Sequence, residues 1–311
     1  LASPEVDLRG VISVGTDAKV RALLLCRFLT MTGRRHVAVA AGADPQPDRP
    51  IKEQFQYSYH PDVLFNRTTR PVKEAAAAFL HARLKSAGGK AIILALGPLT
   101  NIARAIMEDP TFPSKVQQIV YMGGAFYVPG NSSATAEFNW WADPDAAKIA
   151  VRAEWGDPSS QTYATYGNQV ISGLEANENT GGMPEDLYRQ MVDTTFPGIR
   201  DLWLAREERL KANGRDTFGP SNVWDLFAAA YVIDPSIVLS WNDAPRPEDG
   251  VPQPISGVFI DVNSEMGIDY GRATAFDAEL GPVGTRKAAI QSFIDEDKFW
   301  NEIVVPLHAA P

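Results

Sequence analysis

The run Ala91-Ile92-Ile93-Leu94-Ala95-Leu96, closed by Gly97-Pro98, constrains the fold of this chain more than any other feature. It is short, continuously apolar and bounded by breakers, so it predicts a strand buried on both faces. Strands of that kind belong to parallel sheets covered by helices. The neighbouring segments fit such a sheet. Val11-Ile12-Ser13-Val14 predicts a short strand ending at Gly15-Thr16-Asp17, and a helical pattern follows over residues 18–31, stopped by Gly33. Residues 36–40 predict a second buried strand, and residues 72–86 an Ala-rich helix ended by Gly88-Gly89. Thr100 is placed to cap a helix over 101–108, broken by Asp109-Pro110. Residues 118–122 predict the next strand, closed by Gly123-Gly124. This alternation predicts an α/β fold, an open, mostly parallel sheet with helices on both faces. No internal repeat divides residues 1–311, which read as one domain.

The pattern weakens beyond Ala150. Residues 159–182 show no clear period, and 184–213 read as helical and charged. Residues 223–233 predict an apolar helix stopped by Asp234-Pro235, 258–276 a hairpin, and 287–305 a terminal helix. The 29 Lys and Arg stand against 38 Asp and Glu, a net charge of −9. That balance argues against a nucleic-acid binder, which needs a basic face, and against docking on anionic membrane. No stretch of about 18 apolar residues predicts a transmembrane helix. Cys26 is the single cysteine; it lies in an apolar run and reads as a buried structural thiol. A cytoplasmic location is expected, with a removed leader as the alternative.

Ligands of open α/β sheets sit outside the carboxyl ends of the strands. Four places qualify: Gly15-Thr16-Asp17, Leu96-Gly97, Met122-Gly123-Gly124, and the loop that follows. In that loop Asn131, Glu137 and Asn139 fall close together. Amide and carboxylate groups together can hold vicinal hydroxyls, each of which both donates and accepts; the alternative is a solvated polar loop. Asp225 opens an apolar helix, as a carboxylate favoured by the helix dipole or as one that needs a partner or a metal. Trp224 beside it reads as core or as a ligand platform. Asp17 alone reads best as a helix cap. His60 lies in an unpatterned, Pro-rich loop over residues 44–66. There is no nucleophile elbow, Walker loop, dinucleotide fingerprint or zinc spacing.

Several segments taken together resemble the inosine-uridine-preferring nucleoside hydrolases. They are Leu1-Ala2-Ser3-Pro4-Glu5, Leu96-Gly97-Pro98-Leu99-Thr100-Asn101, Met122-Gly123-Gly124, Gly130-Asn131, Ala136-Glu137-Phe138-Asn139, Asp143-Pro144 and Trp224-Asp225. The resemblance covers nearly the whole chain and keeps the family's motif order. It implies hydrolysis of the N-glycosidic bond of ribonucleosides with a bound Ca²⁺, a nucleoside as the partner molecule, and a possible homo-oligomer. Asp225 matches a carboxylate ligand of that ion, and Leu96 the residue whose carbonyl binds it. Met122, Asn131, Glu137 and Asn139 match residues around the ribose, and Asp17 a position near sugar and base. His60 loosely matches a loop histidine near the base, although Pro61 stands where the family has Gly. Trp224 stands where many members have His and the purine-preferring branch has Trp, which implies a purine preference. Phe55, Tyr57 or Tyr59 is then the opposing wall of the base pocket. The family's D-x-D-x-G-x-D-D signature, which supplies most metal carboxylates and the general base, is absent from residues 1–311. The expectation is that a first strand carrying it lies upstream of residue 1. The alternative is a non-catalytic nucleoside- or ribose-binding homologue.

Overall fold

In a computed structural model, which describes residues 3–15, 17–45, 70–180, 183–195, 197–212, 214, 223–278 and 280–309, the strand expected at 118–122 forms and has a parallel neighbour on each side. The first half of the chain supplies β1 (Val11–Ser13), α1 (Ala18–Met31), β2 (Val39–Ala41), α2 (Ala76–Ala87), β3 (Ile92–Ala95), α3 (Thr100–Glu108), β4 (Gln118–Met122), α4 (Phe138–Ala142) and α5 (Pro144–Val151). The second supplies α6 (Gln161–Tyr166), β5 (Gln169–Ser172), α7 (Leu174–Glu178), α8 (Glu185–Thr194), α9 (Pro197–Ala212) and α10 (Trp224–Ile233). It ends with β6 (Val238–Trp241), β7 (Val258–Val262), β8 (Ala273–Phe276), β9 (Arg286–Ile294), a π-helical segment (Lys298–Val304) and α11 (Val305–Ala309).

Strands β1 and β2 pair in parallel as a small sheet. The larger sheet runs β3-β4-β5-β9-β7-β8, with β6 also on β9. Strands β3, β4, β5 and β9 are mutually parallel, whereas β6 and β7 pair antiparallel with β9, and β8 antiparallel with β7. The α/β expectation therefore holds, with an antiparallel extension. Successive side chains of a strand point to opposite faces. On β4, Ile119 and Tyr121 enter a core with Leu84, Ala103 and Ala147, from α2, α3 and α5. Val120 and Met122 enter another with Met191 and Phe227, from α8 and α10. Each fully buried large side chain contributes about 1.5–3 kcal/mol, so the four fix which helices lie on which face.

Three local expectations are corrected. Strand β3 is not buried on both faces. Ile93 and Ala95 pack inward, but Ile92, Leu94 and Leu96 are 39%, 36% and 38% exposed. This strand ends the larger sheet among the described residues, and the face that bears Ile92 and Leu94 is only partly buried. Residues 287–305 are not one helix: β9 is a nine-residue strand whose residues 288–292 are buried. Ala, Gln and Lys favour helix locally, but pairing with β5, β6 and β7 overrides that weak preference. Thr100 is not a cap. It lies within α3, and its hydroxyl donates to Asp143 Oδ2 at 2.6 Å. Strand β5 forms within the stretch 159–182 that shows no clear period. Cys26 is buried and unpaired, as expected. No helix among the described residues is long and apolar enough to cross a membrane.

Candidate active site

The chain leaves β4 at Met122 through Gly123-Gly124. Gly124 has φ +83°, which only glycine adopts without strain. A Cβ on Gly123 would lie 2.3 Å from Trp140 Nε1. The loop then returns to open α4 with Glu137 at its cap. Glu137 is 2% exposed. Its Oε1 accepts the Asn139 N–H at 2.8 Å, and its Oε2 accepts the N–H groups of Trp140 and Gly124, both at 3.1 Å. Burial pushes this carboxyl up to about 7; the three backbone bonds pull it down, and the charge of Asp225 adds to the rise.

Asn139 is turned toward β4. Its Nδ2 donates to the Met122 carbonyl at 3.1 Å and lies 3.2 Å from Met122 Sδ. Asn131 is exposed, and its Oδ1 accepts the Phe138 N–H at 2.9 Å, at the start of the same short helix. Met122, Asn131, Glu137 and Asn139 are thus gathered at one corner, the carboxyl end of β4. Asp225 lies in the first turn of α10, which packs on β4 and β5. Its surface is exposed, yet enough protein surrounds the carboxyl to push it up to about 6 through lost hydration.

Other predicted residues have plainer surroundings. Asp17 is exposed in a left-handed conformation and caps α1, accepting the Val20 N–H at 3.4 Å. Asp44 Oδ1 accepts the Ala18 N–H at 2.7 Å and completes that cap. Trp224 is half-buried and packs on the core beneath α10. Leu96 follows β3, and no described group donates to its carbonyl. His60, Phe55, Tyr57 and Tyr59 lie outside the described residues.

Two residues went unread in the sequence. Asn101 ties α3 to the small sheet: Oδ1 accepts the Ala43 N–H at 2.8 Å, and Nδ2 donates to the Ser13 carbonyl at 3.5 Å. Glu175, in the stretch without clear period, is fully buried at the start of α7. Its only sequence signal is an acid two residues after Gly173, at a strand's carboxyl end.

Among the described residues no three His, Cys, Asp or Glu gather to hold a metal ion. Ca²⁺ takes six to eight oxygens, and the Asp225 carboxylate and the Leu96 carbonyl fall well short of that. These residues do not make a calcium site by themselves, and no chemical step is assigned to a metal.

The pyrimidine-specific ribonucleoside hydrolase RihB of Escherichia coli O157:H7 is 29% identical over 313 residues, 96% of this chain and 87% of RihB. A probable uridine nucleosidase 1 of Oryza sativa subsp. japonica is 38% identical over 157 residues, 47% of this chain and 48% of that protein. The chain spans about half the length of the plant relatives it matches. The fold matches a solved purine-preferring ribonucleoside hydrolase from Gardnerella vaginalis with a TM-score of 0.71, over 100% of this chain and 92% of that one, at 23% identity. The family model for inosine-uridine preferring nucleoside hydrolases matches residues 1–301. With that span and this fold, the chain belongs to the inosine-uridine preferring nucleoside hydrolase family.

Proposed function

We propose that the protein hydrolyses the N-glycosidic bond of ribonucleosides and that the corner formed by Met122, Asn131, Glu137 and Asn139 holds the ribose. The observation that carries this reading is the bond from Asn139 to Met122 beside Glu137. It puts amide and carboxylate groups together at a strand's carboxyl end, where sheets of this kind bind ligands. In the reaction, water oxygen bonds to the anomeric carbon. The C–N bond breaks with its electron pair going to the base, and the water's proton ends on the base. Positive charge builds on the sugar on the way, as in other glycoside cleavages. Groups that fix the hydroxyls supply orientation and stabilise that state over the ground state.

Ca²⁺ is part of this proposal, with Asp225 and the Leu96 carbonyl as two of its oxygen donors. The other carboxylates and the general base are assigned to a strand N-terminal to Leu1. Two observations support such a strand. Strands β1 and β3 each have an unpaired edge among the described residues, and the apolar residues Ile92, Leu94 and Leu96 are only partly buried, at 39%, 36% and 38% exposure. A parallel neighbour of β1 that precedes it needs a crossover of about a dozen residues or more, usually helical. That crossover would supply apolar cover.

Trp224 supports a purine preference within this reading, with Asp17 and His60 assigned near the sugar and base. Stacking raises the basicity of a purine ring and helps its departure. A second reading, a nucleoside- or ribose-binding protein without catalysis, is favoured by the incomplete metal shell of the described residues. A ribose-release assay with inosine, adenosine, guanosine and uridine separates the two. It compares this chain with one extended upstream, each with Ca²⁺ and with chelator. Chelator-sensitive release by the extended chain is expected. Nucleoside binding without release by either form would leave the binding reading standing and sink the hydrolase.

A further inference from the structure

We propose that Glu175 is a positioning residue for the sugar clamp, holding the segment between Gly123 and Asn131 against the carboxyl end of β5. This rests on the hydrolase reading above for what the clamp binds, but not for the anchor itself. Glu175 Oε1 accepts two successive backbone N–H groups, those of Phe126 at 2.6 Å and Tyr127 at 2.9 Å. Those residues lie in the loop that carries Asn131 and returns to Glu137. The contact is surrounded by others between the same segments: the Leu174 N–H donates to the Gly124 carbonyl at 3.0 Å, and the Gly123 N–H to the Ser172 carbonyl at 3.3 Å. Glu137 takes the Gly124 N–H from the other side. Two buried carboxylates therefore grip one short segment.

A carboxylate is a costly way to satisfy two N–H groups in an interior. No ion pair accompanies Glu175 among the described residues, and its Oε2 has no hydrogen-bond partner there. Burial raises its pKa. The N–H groups of Tyr127, Phe126 and Glu175 itself oppose that, and the charge of Asp243 adds to the rise. The surroundings are cut to fit the acid: a Cβ on Gly173 would lie 2.3 Å from Oε2 and 3.1 Å from the Gly124 carbonyl oxygen. A group retained at such expense, with its acceptor aimed at the clamp segment, acts through geometry rather than by touching substrate.

The test uses Glu175→Leu, which removes the acceptor at similar volume, and Glu175→Gln, which keeps an Oε1. Folding of both is checked by circular dichroism. Amide exchange over residues 123–137 is measured first, because it needs no activity. Steady-state kinetics with inosine and uridine follow, on the chain that shows turnover. In Glu175→Leu, exchange at Phe126 and Tyr127 should speed up about ten-fold and KM should rise about ten-fold, with kcat within about three-fold of the parent. Glu175→Gln should stay within about two-fold of the parent on all three measures. Unchanged exchange in Glu175→Leu overturns the proposal, and so does a Gln variant as damaged as Leu. A parent protein that binds no nucleoside would defeat the hydrolase reading instead, and exchange alone would then decide whether Glu175 holds the segment.

Discussion

Asn139 Nδ2 donates to the carbonyl of Met122 at 3.1 Å, and this bond ties the first turn of α4 to the last residue of β4. The Asn139 side chain is thereby fixed, and in the proposed clamp its Oδ1 is the acceptor for a sugar hydroxyl. Asn139→Ala removes both the tether and the acceptor. A loss of about 1–3 kcal/mol in binding of a ribose-containing inhibitor is expected, or roughly five- to 150-fold in Kd. Titration calorimetry measures it. An affinity equal to the parent's would count against the clamp.

Trp224 opens α10, and its half-buried ring packs on the core side of that helix. Its remaining surface is the part assigned to the base. Stacking is worth about 1–3 kcal/mol per base, and the larger purine ring offers more area. Trp224→Ala should therefore reduce kcat/KM more for inosine and guanosine than for uridine. Equal losses for all three would remove the stacking role and leave Trp224 as a packing residue.

The sequence carried the parallel half of the fold well, because β1 to β4 and their helices are local units with clear punctuation. Helix α1 forms over the residues expected, between Asp17 and Gly33. Strand β9 was illegible for a physical reason: its Ala, Gln and Lys residues favour helix, and only β5, β6 and β7 hold it extended. The partly buried face of β3 could not be read from its apolar run either, since composition says what a strand can bury and not what lies over it. At the site, Glu137 and Asn139 were visible through short spacing. Glu175 was not, because its partners Phe126 and Tyr127 lie about fifty positions away in the chain.

Gly124 turns the backbone of the clamp segment just after β4. At φ +83° a side chain costs about 1–2 kcal/mol in backbone strain. Its Cβ would also lie 2.8 Å from Phe126 and 3.2 Å from the buried Trp140 ring. Gly124→Ala should lower unfolding stability by about 1–3 kcal/mol. It should also loosen the bond from the Gly124 N–H to Glu137. Denaturant titration reads the first effect, and ribose-inhibitor affinity the second. An alanine variant matching the parent in both would show that the segment accommodates a side chain and is not a rigid part of the clamp.

Glu207 supplies the pH prediction. It joins α8 to α9: its Oε2 accepts Arg189 Nη1 at 2.8 Å, its Oε1 accepts Arg189 Nη2 at 2.9 Å, and Lys211 Nζ reaches Oε1 at 2.6 Å. Glu207 is 5% exposed, whereas both cations reach solvent, so salt screens part of the attraction. The Arg189 guanidinium first, and Lys211 second, hold the carboxyl down at about 2, against an ordinary 4.5. A carboxyl lowered in the folded state binds protons more readily in the unfolded one, so stability rises with pH between the two values. The contribution is fully present above pH 4.5 and is lost as pH falls through about 2. Glu207→Gln should be less stable than the parent near neutral pH, and the gap should close on acidification through that window. Thermal melts of both proteins across the acid range measure the gap. A difference that stays constant with pH would mean that Glu207 acts through packing, and that its ion pairs add nothing to stability.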